Sequence, residues 1–200
     1  MELSQSQAAF NLPTPNRFIT DHNSNGLAVF DTSVPEALPT EAAGPMANHF
    51  AYATETFPAD FTNKSDLAAY SSMLSAPPGI FIGTGSVLRI VDMQPGGETP
   101  LHQTDSLDYG VVLEGEVELE LDSGETRTLK RGDVSVQRAT NHLWRNLKQT
   151  ESSRMLFVSL GAKPDGALEK SWKNIMNVLD SGLNLARFVV YYDLKTLWLR

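Results

Sequence analysis

The clearest pattern in the chain lies between Glu116 and Leu121, where charged and apolar residues alternate without a break. Glu116, Glu118 and Glu120 fall on one side, Val117, Leu119 and Leu121 on the other. A period of two is what a pleated strand with one wet and one buried face requires. Comparable short stretches surround it. Val87 to Met93, Tyr109 to Leu113, Val134 to Gln137, His142 to Asn146 and Arg154 to Leu160 have the β-branched and aromatic content of strands. Turn residues separate them at roughly 8–12-residue intervals, the spacing of a sandwich or barrel. Glu114-Gly115 marks one tight turn, and Asp122-Ser123-Gly124 closes a hairpin.

The flanks read differently. Met1 to Asn16 is polar, holds two prolines, and is expected to be an arm. Arg17 to Thr20 and Leu27 to Phe30 read as short strands around the turn His22-Asn23-Ser24-Asn25-Gly26. Ser33 to Pro45 reads as a loop and His49 to Thr56 as a strand. Leu67 to Leu74 is expected to form one or two helical turns with Ser65 or Asp66 as N-cap, ended by Ala76-Pro77-Pro78-Gly79. Beyond the strands, Lys163 to Asp180 reads as a helix: Trp172, Ile175, Met176 and Leu179 recur at i, i+3, i+4 and i+7, and Gly182 is a plausible stop. The tail Leu183 to Arg200 is too apolar to lie free in water and is expected to pack on the barrel or a second subunit. No internal repeat or low-complexity segment interrupts the chain.

Composition narrows the function. Two hundred residues suit one domain with extensions. Acidic residues outnumber basic ones 24 to 16, giving a net charge of −8, so neither nucleic acid nor an anionic membrane surface is an expected partner. Cysteine is absent, which removes disulfides, thiolate ligands and a cysteine nucleophile, and fits a reducing compartment. The opening MELSQSQAAFNLPTPNRF has neither a basic nor an apolar signal region, and no run reaches the ~18 apolar residues of a membrane span. The expectation is a soluble cytoplasmic protein, in which the sequon Asn63-Lys64-Ser65 is irrelevant.

The candidate chemistry centres on His102 and His142, about forty residues apart among short strands and turns. Residues i and i+2 of a strand share a face. His102 and Thr104 can therefore both point into a barrel, as can His142, Trp144 and Asn146 from a neighbouring strand. Met155, Phe157 and Ser159 offer an apolar wall. The expected result is a small-molecule pocket with a few polar groups at its bottom. A histidine beside the carboxylate of Asp108 can act as general acid and base without a metal. Blander roles stand beside these. Either histidine can be a satisfied pocket residue, and Trp144 can be core. Asp108 can accept turn amides or pair with Arg138. Gln137 and Arg138 can merely shape a turn, or Arg138 can meet a substrate carboxylate. The glutamate row reads as a solvated face. His22 and His49 receive no role.

The stretch PGGETPLHQTDSLDYGVVLEG, followed by GDVSVQRATNHLWRN, resembles the paired motifs of the cupin superfamily over about Val87 to Gly161. In the first motif Gly96, His102 and Gly115 match in spacing, Thr104 stands where a second histidine is expected, and Asp108 stands for a glutamate. In the second motif Gly132, His142 and Asn146 match, Arg138 replaces a proline, Thr140 replaces a glycine, and the loop before His142 is one residue shorter. The pattern also looks like a sub-branch found in bacterial proteins and fungal secondary-metabolite clusters.

The resemblance implies an all-β, cupin-type jelly-roll (double-stranded β-helix) barrel over residues 86–161. An N-terminal strand arm over 1–85 and a C-terminal helical extension with the apolar tail over 162–200 complete the expected chain. The resemblance also implies a metal set of His102, Asp108 and His142 holding Fe, Zn, Mn or Ni. Asn146 or Thr104 would support the rings from behind. Having no metal is an equal alternative, because the second histidine is missing and the glutamate is shortened. Three functions follow: a lyase-like enzyme on an organic metabolite (decarboxylation, dehydration, cyclisation or isomerisation), an iron dioxygenase, and a non-catalytic ligand-binding cupin. Thr104, Arg138, Trp144, Asn146, Met155 and Phe157 would contact the substrate. Cupins commonly dimerise through N-terminal strands, so a homodimer is expected through Met1 to Phe30 and the tail.

Overall fold

The computed structural model describes residues 10–163. The expected helix Lys163 to Asp180 beyond its first residue, the stop at Gly182, the tail Leu183 to Arg200 and the first nine residues lie outside the described residues.

Eleven strands and one α-helix are formed among them. A hairpin of β1 (Ile19–His22) and β2 (Ala28–Asp31) comes first. β3 (Thr40–Ala43) and β4 (Met46–Thr54) follow, then a 3-10 turn and helix α1 (Ser65–Met73). The rest is β5 (Ser86–Met93), β6 (Ser106–Glu114), β7 (Glu116–Leu121), β8 (Thr126–Lys130), β9 (Val134–Arg138), β10 (His142–Asn146) and β11 (Ser153–Gly161). Six strands make one antiparallel sheet in the order β3-β4-β5-β11-β6-β9; three make a second, β10-β7-β8. The two sheets face each other as the walls of a jelly-roll barrel.

The alternation in β7 explains how the sheets close. Val117 is turned inward and meets Met93, Val112, Leu129, Trp144 and Met155 in one buried core. Its outward glutamates are not simply solvated. Arg145, on the outer face of β10, bonds Glu98, Glu118 and Glu120, and Lys148 reaches Glu116 at 3.2 Å. Gly115 sits at φ +77° between β6 and β7, where a Cβ would come within 3.2 Å of Ser153. The turn therefore needs both the left-handed backbone and the missing side chain of glycine.

A second core lies under α1. Tyr70 is fully buried and packs with Val34, Phe50, Ala53 and Val87, while Ile19, Tyr52 and Ile82 close its edges. The helix begins at Ser65, one residue after Lys64, which takes a left-handed conformation and supplies no side-chain cap. That differs from the expected Ser65 or Asp66 cap. Asp66 instead accepts the Tyr52 hydroxyl at 2.6 Å, tying the helix to β4.

Two strands were given no bounds from the sequence. β3 lies inside the Pro/Ala-rich stretch read as a loop; it is an edge strand with mostly exposed residues. β8 has only Leu129 buried, so it carries no alternation to read. No helix among the described residues is long and apolar enough to cross a membrane.

On the outside of the six-stranded sheet, Asp92 takes two hydrogen bonds from Arg154 (2.5 and 2.7 Å) and one contact from His49 Nε2 at 3.0 Å. Arg154 also donates to the Pro13 carbonyl at 2.8 Å, and His49 Nδ1 lies 2.9 Å from the Thr40 hydroxyl. This buried cluster fastens the N-terminal segment across β4, β5 and β11. A cavity of about 430 Å³ sits above it, walled by Phe10, Leu12, Leu38 and Ala42.

Candidate functional site

The site lies at the barrel end where the segment before β6 meets the start of β10. Backbone groups of His102 and His142 exchange two hydrogen bonds, each 2.9 Å, as an isolated antiparallel bridge. The bridge brings their rings to 4.4 Å between centroids. Each ring is also fixed by its Nδ1. That of His102 donates to the Pro100 carbonyl at 2.9 Å, and that of His142 to the Thr140 carbonyl at 2.8 Å. With the Nδ1 proton held by a carbonyl, each Nε2 carries the lone pair in the neutral ring. Neither Nε2 has a protein partner among the described residues.

His142 is buried, whereas His102 is half-buried. Burial first, and the neighbouring His102 second, hold the His142 pKa down from 6.5 to about 4. Its imidazole is therefore neutral through the physiological range. The ring continues into an aromatic wall: Trp144 stands edge-on to it at 5.9 Å, and Phe157 edge-on to Trp144 at 5.8 Å. Gly110 makes room for this wall, since a Cβ there would come within 2.9 Å of the Phe157 ring.

Asp108 is buried in β6 and faces inward with Ser106 and Gly110. Its Oδ2 accepts hydroxyls from Ser106 at 2.8 Å and Thr104 at 3.3 Å. Its Oδ1 is buried without a partner among the described residues. Directly across the ladder sits Gln137 of β9. Gln137 accepts the Thr140 hydroxyl through Oε1, and its Nε2 is likewise buried without a partner among the described residues.

The structure thus unites His102 with His142 and gathers Thr104 around Asp108. The three-ligand metal set does not assemble. The two imidazoles offer the right tautomers for an ion, but Asp108 is turned toward hydroxyls. Among the described residues no group of three or more His, Cys, Asp or Glu comes together to hold one.

The remaining positions divide. Phe157 lines the wall, and Trp144 joins it while belonging to the core. Met155 is buried core beneath them. Asn146 is placed differently from expectation. Its Nδ2 donates to the carbonyls of Met93, Gln94 and Glu151, and its Oδ1 accepts from the Lys148 amide, so its amide is engaged with the backbone around β5 and β11. Arg138 is also corrected: it is exposed on the outer face of β9, because Ser135 and Gln137 hold the inward parity. Gln137 is the residue that sequence reasoning undervalued. Val134 and Val136 beside it take the outer face instead.

The profile of the cupin domain family Cupin_2 matches residues 89–159. The chain is 60% identical over 172 residues to Phomopsin biosynthesis cluster protein D of Diaporthe leptostromiformis, covering 84% of this chain and 91% of that one. It is 41% identical over 147 residues to the cupin-domain-containing oxidoreductase fogC of Aspergillus ruber, covering 72% and 71%. Among solved structures, the Cnp3 cupin domain of Schizosaccharomyces pombe aligns at a TM-score of 0.45 and 12% identity, covering 80% of this chain and 94% of that one.

Proposed function

Because the chain belongs to the cupin superfamily, we propose that it is an enzyme of secondary metabolism that moves a proton on a small organic metabolite held in the barrel. The single observation carrying this reading is the imidazole pair: two rings 4.4 Å apart, each with Nδ1 anchored to a carbonyl and Nε2 free. The relatives in biosynthetic clusters support the metabolic setting.

The chemistry follows from the His142 pKa. A group with a pKa of about 4 is a weak base and, once protonated, a strong acid. It suits a carbon acid already activated by a neighbouring carbonyl. His142 Nε2 takes the proton from carbon and becomes an imidazolium that burial disfavours. It then returns that proton elsewhere on the same molecule. Return to a different atom completes an isomerisation; delivery to a leaving hydroxyl completes a dehydration, with water departing. His102 Nε2 supplies a second acceptor for a substrate hydroxyl, and Trp144 and Phe157 hold the apolar body and exclude water. No step runs through a metal.

A second reading, an oxidoreductase, is favoured by the names of four relatives at 36–41% identity. It would need an electron acceptor that the proton-transfer reading does not.

The test uses the metabolite that accumulates when this gene is deleted from its host. Purified protein in D2O is expected to convert it with deuterium entering the product and no uptake of dioxygen. His142→Ala is expected to lose at least ~100-fold in kcat, as removal of a general base does. Stoichiometric iron with dioxygen uptake would select the oxidoreductase. Full turnover in both His102→Ala and His142→Ala would remove the site from consideration.

A further inference from the structure

Among the buried side-chain atoms without a hydrogen-bond partner among the described residues, two belong to residues directly paired across β6 and β9. Among the described residues Asp108 Oδ1 is an acceptor without a donor, and Gln137 Nε2 is a donor without an acceptor. Both side chains are more than nine-tenths buried, at 6% and 4% exposure. Each is held by its other atom: Asp108 Oδ2 by Ser106 and Thr104, Gln137 Oε1 by Thr140. Their free atoms are therefore fixed in place rather than swinging. As direct cross-strand partners, their Cβ atoms stand roughly 4.5–5.5 Å apart. Buried polar groups left unmade are expensive, and native proteins keep few of them without a reason.

We propose that Asp108 and Gln137 form the recognition edge for a neutral amide of the substrate, an H–N–C=O unit such as a primary amide or a lactam. The amide N–H donates to Asp108 Oδ1, and the amide carbonyl accepts from Gln137 Nε2. One such unit satisfies both orphans at once. A carboxylate does not: it brings two acceptors and a negative charge against Asp108, whose side-chain partners among the described residues are hydroxyls. Arg138, the cation expected to neutralise such a charge, lies on the outer face. The Trp144 and Phe157 wall adds a preference for a flat, apolar body on the amide. This rests on the proton-transfer reading of the same pocket and specifies its substrate.

The probes are oxindole, a flat lactam, with N-methyloxindole and phenylacetate beside it, titrated into the full-length protein by NMR. Oxindole is expected to bind saturably near 1 mM, the range of a small fragment, and to shift resonances of Asp108 and Gln137. N-methyloxindole, which lacks the donor, is expected to bind about tenfold more weakly, and phenylacetate not at all. Gln137→Leu and Asp108→Asn are each expected to weaken oxindole by a similar factor while the methylated probe changes little. Equal binding of the two lactams, tighter binding of phenylacetate, or no saturable oxindole binding overturns the proposal. So does a crystal structure in which an ordered water bridges the two orphans and oxindole does not displace it. The lactam comparison on unmodified protein stands even if a variant fails to fold. Failure here leaves proton transfer intact if His142→Ala still abolishes deuterium incorporation. Failure of that reading shows instead as full turnover in both histidine variants.

Discussion

At the scale of single residues, His142 carries the sharpest expectation. Its folded pKa of about 4 lies below the ordinary 6.5 because burial, and then His102, disfavour its charge. The unfolded chain therefore takes up this proton first. The contribution to stability is complete above pH 6.5, is lost as pH falls toward 4, and amounts to roughly 3 kcal/mol across that window. An NMR titration of the His142 ring is expected to show it neutral down to about pH 4. The His102→Gln variant is expected to raise that midpoint, because one of its two causes is gone while burial remains. An unchanged midpoint would mean that burial alone sets it. Several site residues were legible in the sequence because i and i+2 share a face: His142 and Trp144 do point inward together. Gln137 was not legible, because β9 inverts the usual code. Val134 and Val136 face out at 61% and 55% exposure, while Ser135 and Gln137 face in. A strand that lines a polar pocket reverses the hydrophobic parity on which the reading depends.

At the scale of elements, strong alternation gave good boundaries. β7 and β10 begin and end where the pattern predicted. β8 and β3 escaped, since a strand with one buried residue or none leaves no period to detect. The tie between β5 and β11 was equally hidden. Asp92 and Arg154 are far apart in the chain, and nothing local to either announces the other. Burial works to raise the Asp92 carboxyl pKa, but hydrogen bonds from Arg154 and His49 outweigh it, so the pKa lies below 3.8. Stability from this carboxylate is thus fully present above pH 3.8 and declines as pH falls through the lowered value. Arg154→Met is expected to lower unfolding stability by about 3–5 kcal/mol in urea, because it strands a buried charge. A loss below ~1 kcal/mol would mean that His49 alone satisfies Asp92.

At the scale of the molecule, apolar surface suggests assembly. The β1–β2 hairpin exposes Phe18, Leu27 and Phe30 at 61%, 63% and 67%, with the two phenylalanine rings edge-on at 6.3 Å. Side chains of this kind seldom stay wet when clustered. We propose a homodimer that covers this hairpin. Light scattering after size exclusion is expected to give twice the chain mass, reduced to one chain by the double variant Phe18→Ser/Phe30→Ser. A dimer that survives the double variant would move the interface elsewhere. The main-chain bridge between His102 and His142 has a different bearing on the whole. The spacing of the two rings is set by backbone hydrogen bonds, not by the rings themselves. Either imidazole can then be exchanged without disturbing the seat of the other. The barrel end behaves as a socket whose two seats are set by the main chain, so a single side chain there can be changed while the fold stays as it is, even though the charge of one ring is felt by the other.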